Sequence, residues 1–132
     1  MNIIKATDNI RITEHGDRFA IKVRDDNIWR HATTADTYDD ARPLANLAHN
    51  TLRRGGDAAD AIIAVISAQA ERVTRTFVGI DMGEAVWSGV NIALGLCPDG
   101  CCGGPECMSE SEIPAWNAWA TRLRDAVERS NV

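Results

Sequence analysis

The hydrophobic pattern of this chain changes its period once, near residue 35, and this change constrains the fold more than any other feature. Before it, apolar and polar residues alternate, which indicates half-buried strands. Three such segments, 10–14, 18–23 and 28–33, are separated by His15-Gly16-Asp17 and Asp25-Asp26-Asn27, which have turn chemistry. The pattern predicts an antiparallel meander, with residues 2–6 as a candidate fourth strand.

After residue 35 the apolar residues recur at helical spacing. Asp39 or Asp40 is predicted to cap a first helix that carries Pro43 in its first turn and ends at Gly55-Gly56. Asp57 is predicted to cap a second helix. The apolar stripe of this second helix is the strongest in the chain and consists of Ala59, Ile62, Ile63, Ile66, Ala70, Val73 and Phe77.

Two further helices are predicted in the last third. Asp81 is the candidate cap of a helix that runs to Leu94, although its glycines weaken the intrinsic helical preference. The last helix is predicted to begin near Ser109 or Ser111, because Ser109-x-x-Glu112 fits a capping box and Pro114 follows in the first turn. Its predicted inner face is Ile113, Trp116, Ala120, Leu123 and Val127, with Trp119 beside it.

These patterns together predict an α+β fold: a small antiparallel three- to four-stranded meander at the N-terminus, followed by three to four helices packed on one face. The length of 132 residues fits a single domain over 1–132. Within it we assign residues 1–34 to the meander and residues 38–132 to a helical part that contains a cysteine-rich loop at 97–107.

That loop holds all four cysteines of the chain: Cys97, Cys101, Cys102 and Cys107. Thiolates are soft ligands, and Gly/Pro turns let a short backbone wrap around a metal, so we predict a structural zinc site. The pairs Cys97-x3-Cys101 and Cys102-x4-Cys107 have the spacing of zinc half-sites, but they are adjacent in the sequence. Three cysteines with one of the histidines (His15, His31 or His49) therefore form an easier ligand set than four cysteines. Disulfides and reduced thiols, structural or redox-active, are the alternatives.

Basic residues on the predicted strands suggest a second site. Three strands followed by a helix resemble the arm-type DNA-binding domains of phage integrases, whose sheet enters the major groove. The resemblance implies nucleic-acid binding by the cations on or beside the strands, with Trp29 able to stack; these cations are Arg11, Arg18, Lys22, Arg24 and Arg30. The alternative is ordinary polar exposure of a sheet, since Asp17, Asp25 and Asp26 interrupt the basic surface.

A third motif, Phe77-Val78-Gly79-Ile80-Asp81-Met82-Gly83, resembles the phosphate-binding strand and turn of sugar kinases and actin-like ATPases. In those families the motif lies near the start of a much longer chain that has a second phosphate loop. This chain has neither feature, so we interpret the segment as a lead into the helix that Asp81 caps.

Composition narrows the functional classes. The net charge of −5 disfavours general binding to DNA or anionic membranes, and no apolar run approaches the length of a membrane span. The N-terminus lacks signal-peptide character, which predicts a cytoplasmic protein. No catalytic spacing of histidines is visible, so an enzyme is not the favoured class.

The leading hypothesis is therefore a small non-enzymatic interaction or regulatory protein that binds a protein partner. A phage or mobile-element accessory protein, such as an inhibitor of a host defence system, fits this description. The alternatives are a zinc-stabilised nucleic-acid-binding regulator and a small enzyme with a reactive cysteine.

Overall fold

A computed structural model describes residues 2–95 and 110–130, and it confirms the predicted α+β fold. Four strands precede four helices along the chain. The strands are β1 (Asn2–Ala6), β2 (Ile10–His15), β3 (Arg18–Asp25) and β4 (Ile28–Ala35). The helices are α1 (Tyr38–Arg53), α2 (Ala58–Thr76), α3 (Met82–Gly95) and α4 (Ile113–Ser130).

The strands form one antiparallel sheet in the order β1-β2-β3-β4, as expected for a meander. Two-residue turns connect β2 to β3 and β3 to β4, and their first residues, Gly16 and Asp26, have φ values of +60° and +54°. Positive φ at this position gives a turn whose twist matches that of the strands it joins. In β4, Ala32 is an extra residue opposite the Ile21–Lys22 pair, which makes a β-bulge.

One face of the sheet carries the core. Ile10, Ile12, Ile21 and Val23 alternate with polar residues along β2 and β3, and all four are buried in one cluster with residues of the four helices. The helices α1, α2 and α3 contact the sheet, whereas α4 packs on α2 and α3. The helical layer therefore lies on one side of the sheet, as the sequence predicts.

The cap of α1 differs from the prediction. Thr37, not Asp39 or Asp40, is the N-cap, and its side chain accepts a hydrogen bond from the Asp40 backbone N–H. The two aspartates lie in the first turn, where their negative charges interact favourably with the positive end of the helix dipole. Pro43 consequently lies in the second turn and not in the first.

Helix α2 contacts every other helix as well as β3 and β4. A capping box fixes its start, with reciprocal hydrogen bonds between Asp57 and Asp60 of 2.9 and 3.1 Å. Its buried residues occupy more than one stripe, because it is enclosed on several sides; they are Ala58, Ala59, Ala61, Ile62, Ile63, Val65, Ile66 and Ala70.

Salt bridges hold α4 against the sheet and α2. Nη1 of Arg122 donates to both carboxylate oxygens of Asp25, at 3.1 and 3.0 Å, and Nη2 donates to Asp57 at 3.4 Å. Arg129 donates to Asp60 at 2.9 Å, and this hydrogen bond lowers the pKa of Asp60 below its ordinary value. These bonds join α4 to the end of β3 and to the start of α2.

The contact between α2 and α3 depends on Gly89. A Cβ at this position would lie 2.6 Å from Cγ2 of the buried Ile66, which is closer than atoms can approach. Gly89 therefore lets the backbone of α3 lie directly on an α2 side chain, although glycine costs roughly 1 kcal/mol of helix propensity relative to alanine.

We expect Gly89→Ala to lower the free energy of unfolding by about 1–3 kcal/mol, because overpacking outweighs the gain in propensity. In an Ile66→Ala background the same substitution should instead be neutral or stabilising, since the clashing methyl group is gone. Urea unfolding of the four proteins of this cycle measures both effects. Equal effects of Gly89→Ala in the two backgrounds would show that Ile66 is not the constraint.

Candidate functional site

The predicted zinc ligands Cys97, Cys101, Cys102 and Cys107 lie outside the described residues. Within residues 2–95 and 110–130, no group of three or more histidine, cysteine, aspartate or glutamate side chains is arranged to hold a metal ion. A structural zinc site on the cysteines therefore stays a prediction, as do the alternatives of disulfides and reduced thiols.

The three histidines occupy different environments. His49 is exposed on α1, whereas His15 and His31 are partly buried on strands β2 and β4. His31 pairs with Lys22 across the β3–β4 ladder. Burial, together with the positive charges of Lys22 and His15, lowers the pKa of His31 to about 4, so this imidazole is neutral at pH 7.

Side-chain alternation along the strands decides on which face of the sheet each cation lies. Arg11 pairs with Lys22, Lys22 with His31, and Arg24 with Trp29, which places these five side chains together on the sheet face opposite the helices. We call this surface the basic sheet face. His15 and Arg18, which pair with each other, extend it toward the β2–β3 turn.

Burial varies across the basic sheet face. Lys22 is only 3% exposed, and its neighbours Thr13 and Ala20 on the same face are also buried. Arg11 and Trp29 are half-buried, and Arg24 is exposed. The Arg11 guanidinium stacks on the Trp29 ring at 3.7 Å from the ring centroid, a cation–π contact that fixes where its donors point.

Arg30 does not belong to this group, although sequence proximity placed it there. It pairs with Val23, so its side chain lies on the helix-facing side of the sheet. There it packs over the Trp119 ring at 4.6 Å and lies 3.8 Å from Asp25. Neighbouring residues of a strand point to opposite faces of the sheet, so Arg30 faces the helices although Trp29 does not. Arg30 therefore packs against α4.

Both carboxylates of strands β2 to β4 also lie on the helix-facing side. Asp25 binds Arg122 of α4. Glu14 pairs with Phe19, whose ring contacts Tyr38 of α1 edge-on at 6.3 Å. The sequence suggested that Asp25 interrupts the basic surface. Within these three strands it does not, because its side chain lies on the other side of the sheet.

A second surface was missed by the sequence analysis. Val73 and Phe77 continue the apolar stripe of α2 and were predicted to be core, but they are 37% and 57% exposed. The apolar stripe continues past the elements that bury it, because α2 is longer than the helices that cover its first two thirds. Trp87 of α3 is also 37% exposed.

Val73 and Phe77, but not Trp87, line an open cleft of about 750 Å³ between β4, α2 and α3. We call it the apolar cleft. Its apolar lining consists chiefly of Ile66, Ala70, Val73, Phe77, Ile80, Ala85 and Ile92. Thr33, Thr34, Gln69 and Ser88 supply polar groups, and the Gln69 amide donates a hydrogen bond of 3.1 Å to the Thr34 carbonyl.

The motif that resembles a phosphate-binding strand forms no strand. Phe77 is the C-cap of α2, residues 78–81 are a connection, and α3 begins at Met82. The Asp81 side chain accepts a hydrogen bond of 3.2 Å from the Glu84 backbone N–H, as a helix cap does. The interpretation of this segment as a lead into a capped helix is therefore confirmed.

No protein-family model, curated protein or solved structure matches this chain. In the two ranges that the structure describes, none of the helices has the length and apolar character that a bilayer span requires.

The environment of His31 generates a pH prediction. Its pKa is about 4 in the folded protein and about 6.5 when unfolded, so the unfolded chain binds a proton more readily as the pH falls. The free energy of unfolding should therefore decrease by about 3 kcal/mol between pH 7 and pH 4 through this group alone. His31→Gln should remove this component, which urea titrations across the range measure.

The exposed His49 provides the control. His49→Gln replaces an exposed histidine on α1 and controls for the substitution itself, and an NMR titration should place the His31 midpoint near pH 4. An ordinary midpoint for His31 would contradict the prediction.

The cysteine prediction has its own measurement. Native mass spectrometry should show the mass of the reduced chain plus one zinc ion, and a chelator should remove the added mass. A metal-free chain that has lost two or four hydrogens would identify disulfides and exclude the zinc site.

Proposed function

We propose that this chain is a non-enzymatic interaction protein whose apolar cleft binds an apolar segment of a protein partner. The observation that carries the proposal is that four exposed large apolar side chains line this one cleft; they are Val73, Phe77, Ile80 and Ile92. Of the eight such side chains in the described residues, all but Ile28 belong to the end of α2, the connection after it, or α3. Contiguous apolar surface of this kind marks interaction sites.

The exposure of the rim favours a protein over a small molecule. The volume of about 750 Å³ alone would suit either ligand. However, Phe77 and Ile92 are 57% and 62% exposed, and a small ligand on the cleft floor would leave both in contact with water. A protein surface covers the rim as well as the floor, and large apolar anchors at its centre supply most of the binding energy.

The charges around the cleft favour an apolar partner segment without strong net charge. Arg18 pairs with Asp36 and Arg72 with Asp40, each at 3.4 Å, so the rim cations are balanced by anions of the same chain. A strongly charged partner would compete with these internal pairs and gain little. Exposed pairs contribute at most about 1 kcal/mol each, so they can rearrange when a partner covers them.

The role as a phage or mobile-element accessory protein, including an inhibitor of a host defence system, is a narrower proposal within this one. It rests on small size, acidic charge and the lack of a catalytic spacing in the sequence. The alternative of an enzyme with a reactive cysteine concerns residues outside the described part and stays a prediction.

A photoreactive amino acid placed at position 77 of the full chain tests the proposal in an extract of the source cells. The same residue at position 28, an exposed apolar position away from the cleft, is the matched control. We expect a crosslinked protein at 77 that is absent at 28. Identical products at both positions, or none at 77, would overturn the proposal.

The crosslinked protein is then purified and its affinity for the full chain is measured. Phe77→Ala should weaken binding by roughly 30-fold, because truncation of a central aromatic anchor costs about 2 kcal/mol or more. Ile28→Ala should leave the affinity unchanged. Equal affinities for the wild type and Phe77→Ala would show that the cleft is not the docking site, even if the two proteins bind.

A further inference from the structure

Strand β4 forms one edge of the sheet, and this edge borders the apolar cleft. In the strand order β1-β2-β3-β4, β4 pairs with β3 on one side and with no strand of the described residues on the other. Residues 32–36, at the end of β4, line the cleft together with α2 and α3. One wall of the cleft is therefore the main chain of an edge strand, and the remaining lining comes from helices.

The register of the β3–β4 hairpin decides which backbone groups of β4 point to the open edge. A two-residue turn is closed by a hydrogen-bonded pair, here Asp25 and Ile28, and the two kinds of pair alternate from there. Counted along β3, this alternation makes Ala20 and Thr34 a non-hydrogen-bonded pair, so the backbone N–H and C=O of Thr34 point away from β3. The hydrogen bond of 3.1 Å from the Gln69 amide to the Thr34 carbonyl agrees with this direction.

From this arrangement we infer that the partner segment proposed for the apolar cleft is an extended strand, which pairs with residues 33–36 and lengthens the sheet beyond β4. The inference rests on the proposed function, since it concerns the same cleft. Edge strands present a row of backbone donors and acceptors that an extended peptide can use. The β-bulge at Ala32 ends regular pairing on the N-terminal side, which limits the paired stretch to these residues.

The edge beside the cleft lacks the features that discourage strand addition. Charged side chains and prolines commonly protect edge strands from pairing with another chain. Residues 33–35 read Thr-Thr-Ala, with neither a charge nor a proline, and threonine favours extended backbone. The first charged residue after them, Asp36, already pairs with Arg18 at 3.4 Å. An uncharged partner strand therefore meets no opposing charge along this stretch.

The alternation of an added strand directs every second side chain into the cleft. Directly paired residues of neighbouring strands point to the same face of a sheet. Thr33 and Ala35 lie on the helix-facing side, because they pair with Ile21 and Phe19. Since both side chains are small, larger side chains beside them on the added strand reach the apolar lining of α2 and α3. The partner segment should consequently alternate apolar residues with polar residues that face away from the helices.

An extended segment fits the cleft better than a helix does. A helix satisfies its own backbone groups internally, so it would cover the apolar lining without pairing with the edge. The Thr34 N–H would then lose water without gaining an acceptor, which is costly. The Thr34 carbonyl already accepts from Gln69, and its second lone pair can accept an N–H of the added strand.

Fluorescence anisotropy with labelled strand peptides tests the inference on the full chain. The first probe is a peptide of about eight residues in which valine alternates with threonine between terminal lysines, and two further probes carry leucine or phenylalanine in place of valine. At least one should bind, and more tightly than a helix-forming peptide with the same apolar residues. No binding by any of the three, or tighter binding by the helical peptide, would overturn the inference.

Two substitutions at position 34 separate the backbone from the side chain. Thr34→Pro removes the outward N–H without removing a hydrogen bond to β3, and it should weaken binding of the strand peptide roughly 10-fold, because a peptide carbonyl loses its donor. Thr34→Ala keeps the N–H and is the matched control, with unchanged affinity. Equal affinities of the two variants would contradict strand pairing. A dimer of the free chain that Thr34→Pro dissociates would make a second copy the occupant and overturn the assignment to a separate protein.

Hydrogen exchange on the unsubstituted chain provides a measurement that no folding defect of Thr34→Pro can affect. Bound peptide should slow exchange of the Thr34 amide proton and leave the amides of β1, at the opposite edge, unchanged. Unaltered exchange at Thr34 with saturating peptide would overturn the inference. If Phe77→Ala weakens binding of the crosslinked protein but Thr34→Pro does not, the cleft docks a protein without strand pairing, and the proposed function stands. Absence of a crosslink at position 77 rejects the function itself.

Discussion

Burial of α2 is the constraint on which the remaining structure depends. This helix contacts α1, α3, α4, β3 and β4, and four of its large apolar side chains are at most 2% exposed: Ile62, Ile63, Val65 and Ile66. Each such side chain contributes roughly 1.5–3 kcal/mol when buried. Small residues at its contacts, including its own Ala59 and Ala61 and Gly89 of α3, let three helices and the sheet approach α2 closely enough to exclude water.

The apolar cleft and the basic sheet face both follow from where this packing stops. The sheet packs one face against α2 and its neighbours, and strand alternation places Arg11, Lys22 and Arg24 on the other face, where Lys22 is itself buried. At its C-terminal end α2 extends beyond the elements that cover it, and its apolar stripe continues to Val73 and Phe77, which are 37% and 57% exposed. One surface is therefore basic and the other apolar for the same physical reason.

The salt bridges of α4 have a different role. Arg122 connects the β3–β4 turn through Asp25 to the start of α2 through Asp57, and Arg129 binds the capping residue Asp60. Partly exposed ion pairs add little stability one by one. Their contribution is geometric, because they set the position of α4 at the end of α2 opposite the apolar cleft. Arg30, stacked on Trp119, belongs to this packing and not to a ligand surface.

The sequence by itself determined the element order, the meander, the cap at Asp57 and the core faces of the helices, because these depend on local periodicity and capping chemistry. Strand alternation alone also puts Lys22 and Arg24 on one face of β3. The pairing register then adds Arg11 of β2 to the same face. Only the tertiary structure decided that Arg30 lies on the other side, because the face of a side chain depends on pairing register. Only the tertiary structure left Val73 and Phe77 exposed, because a helical stripe states which residues are apolar but not how far the partner elements extend.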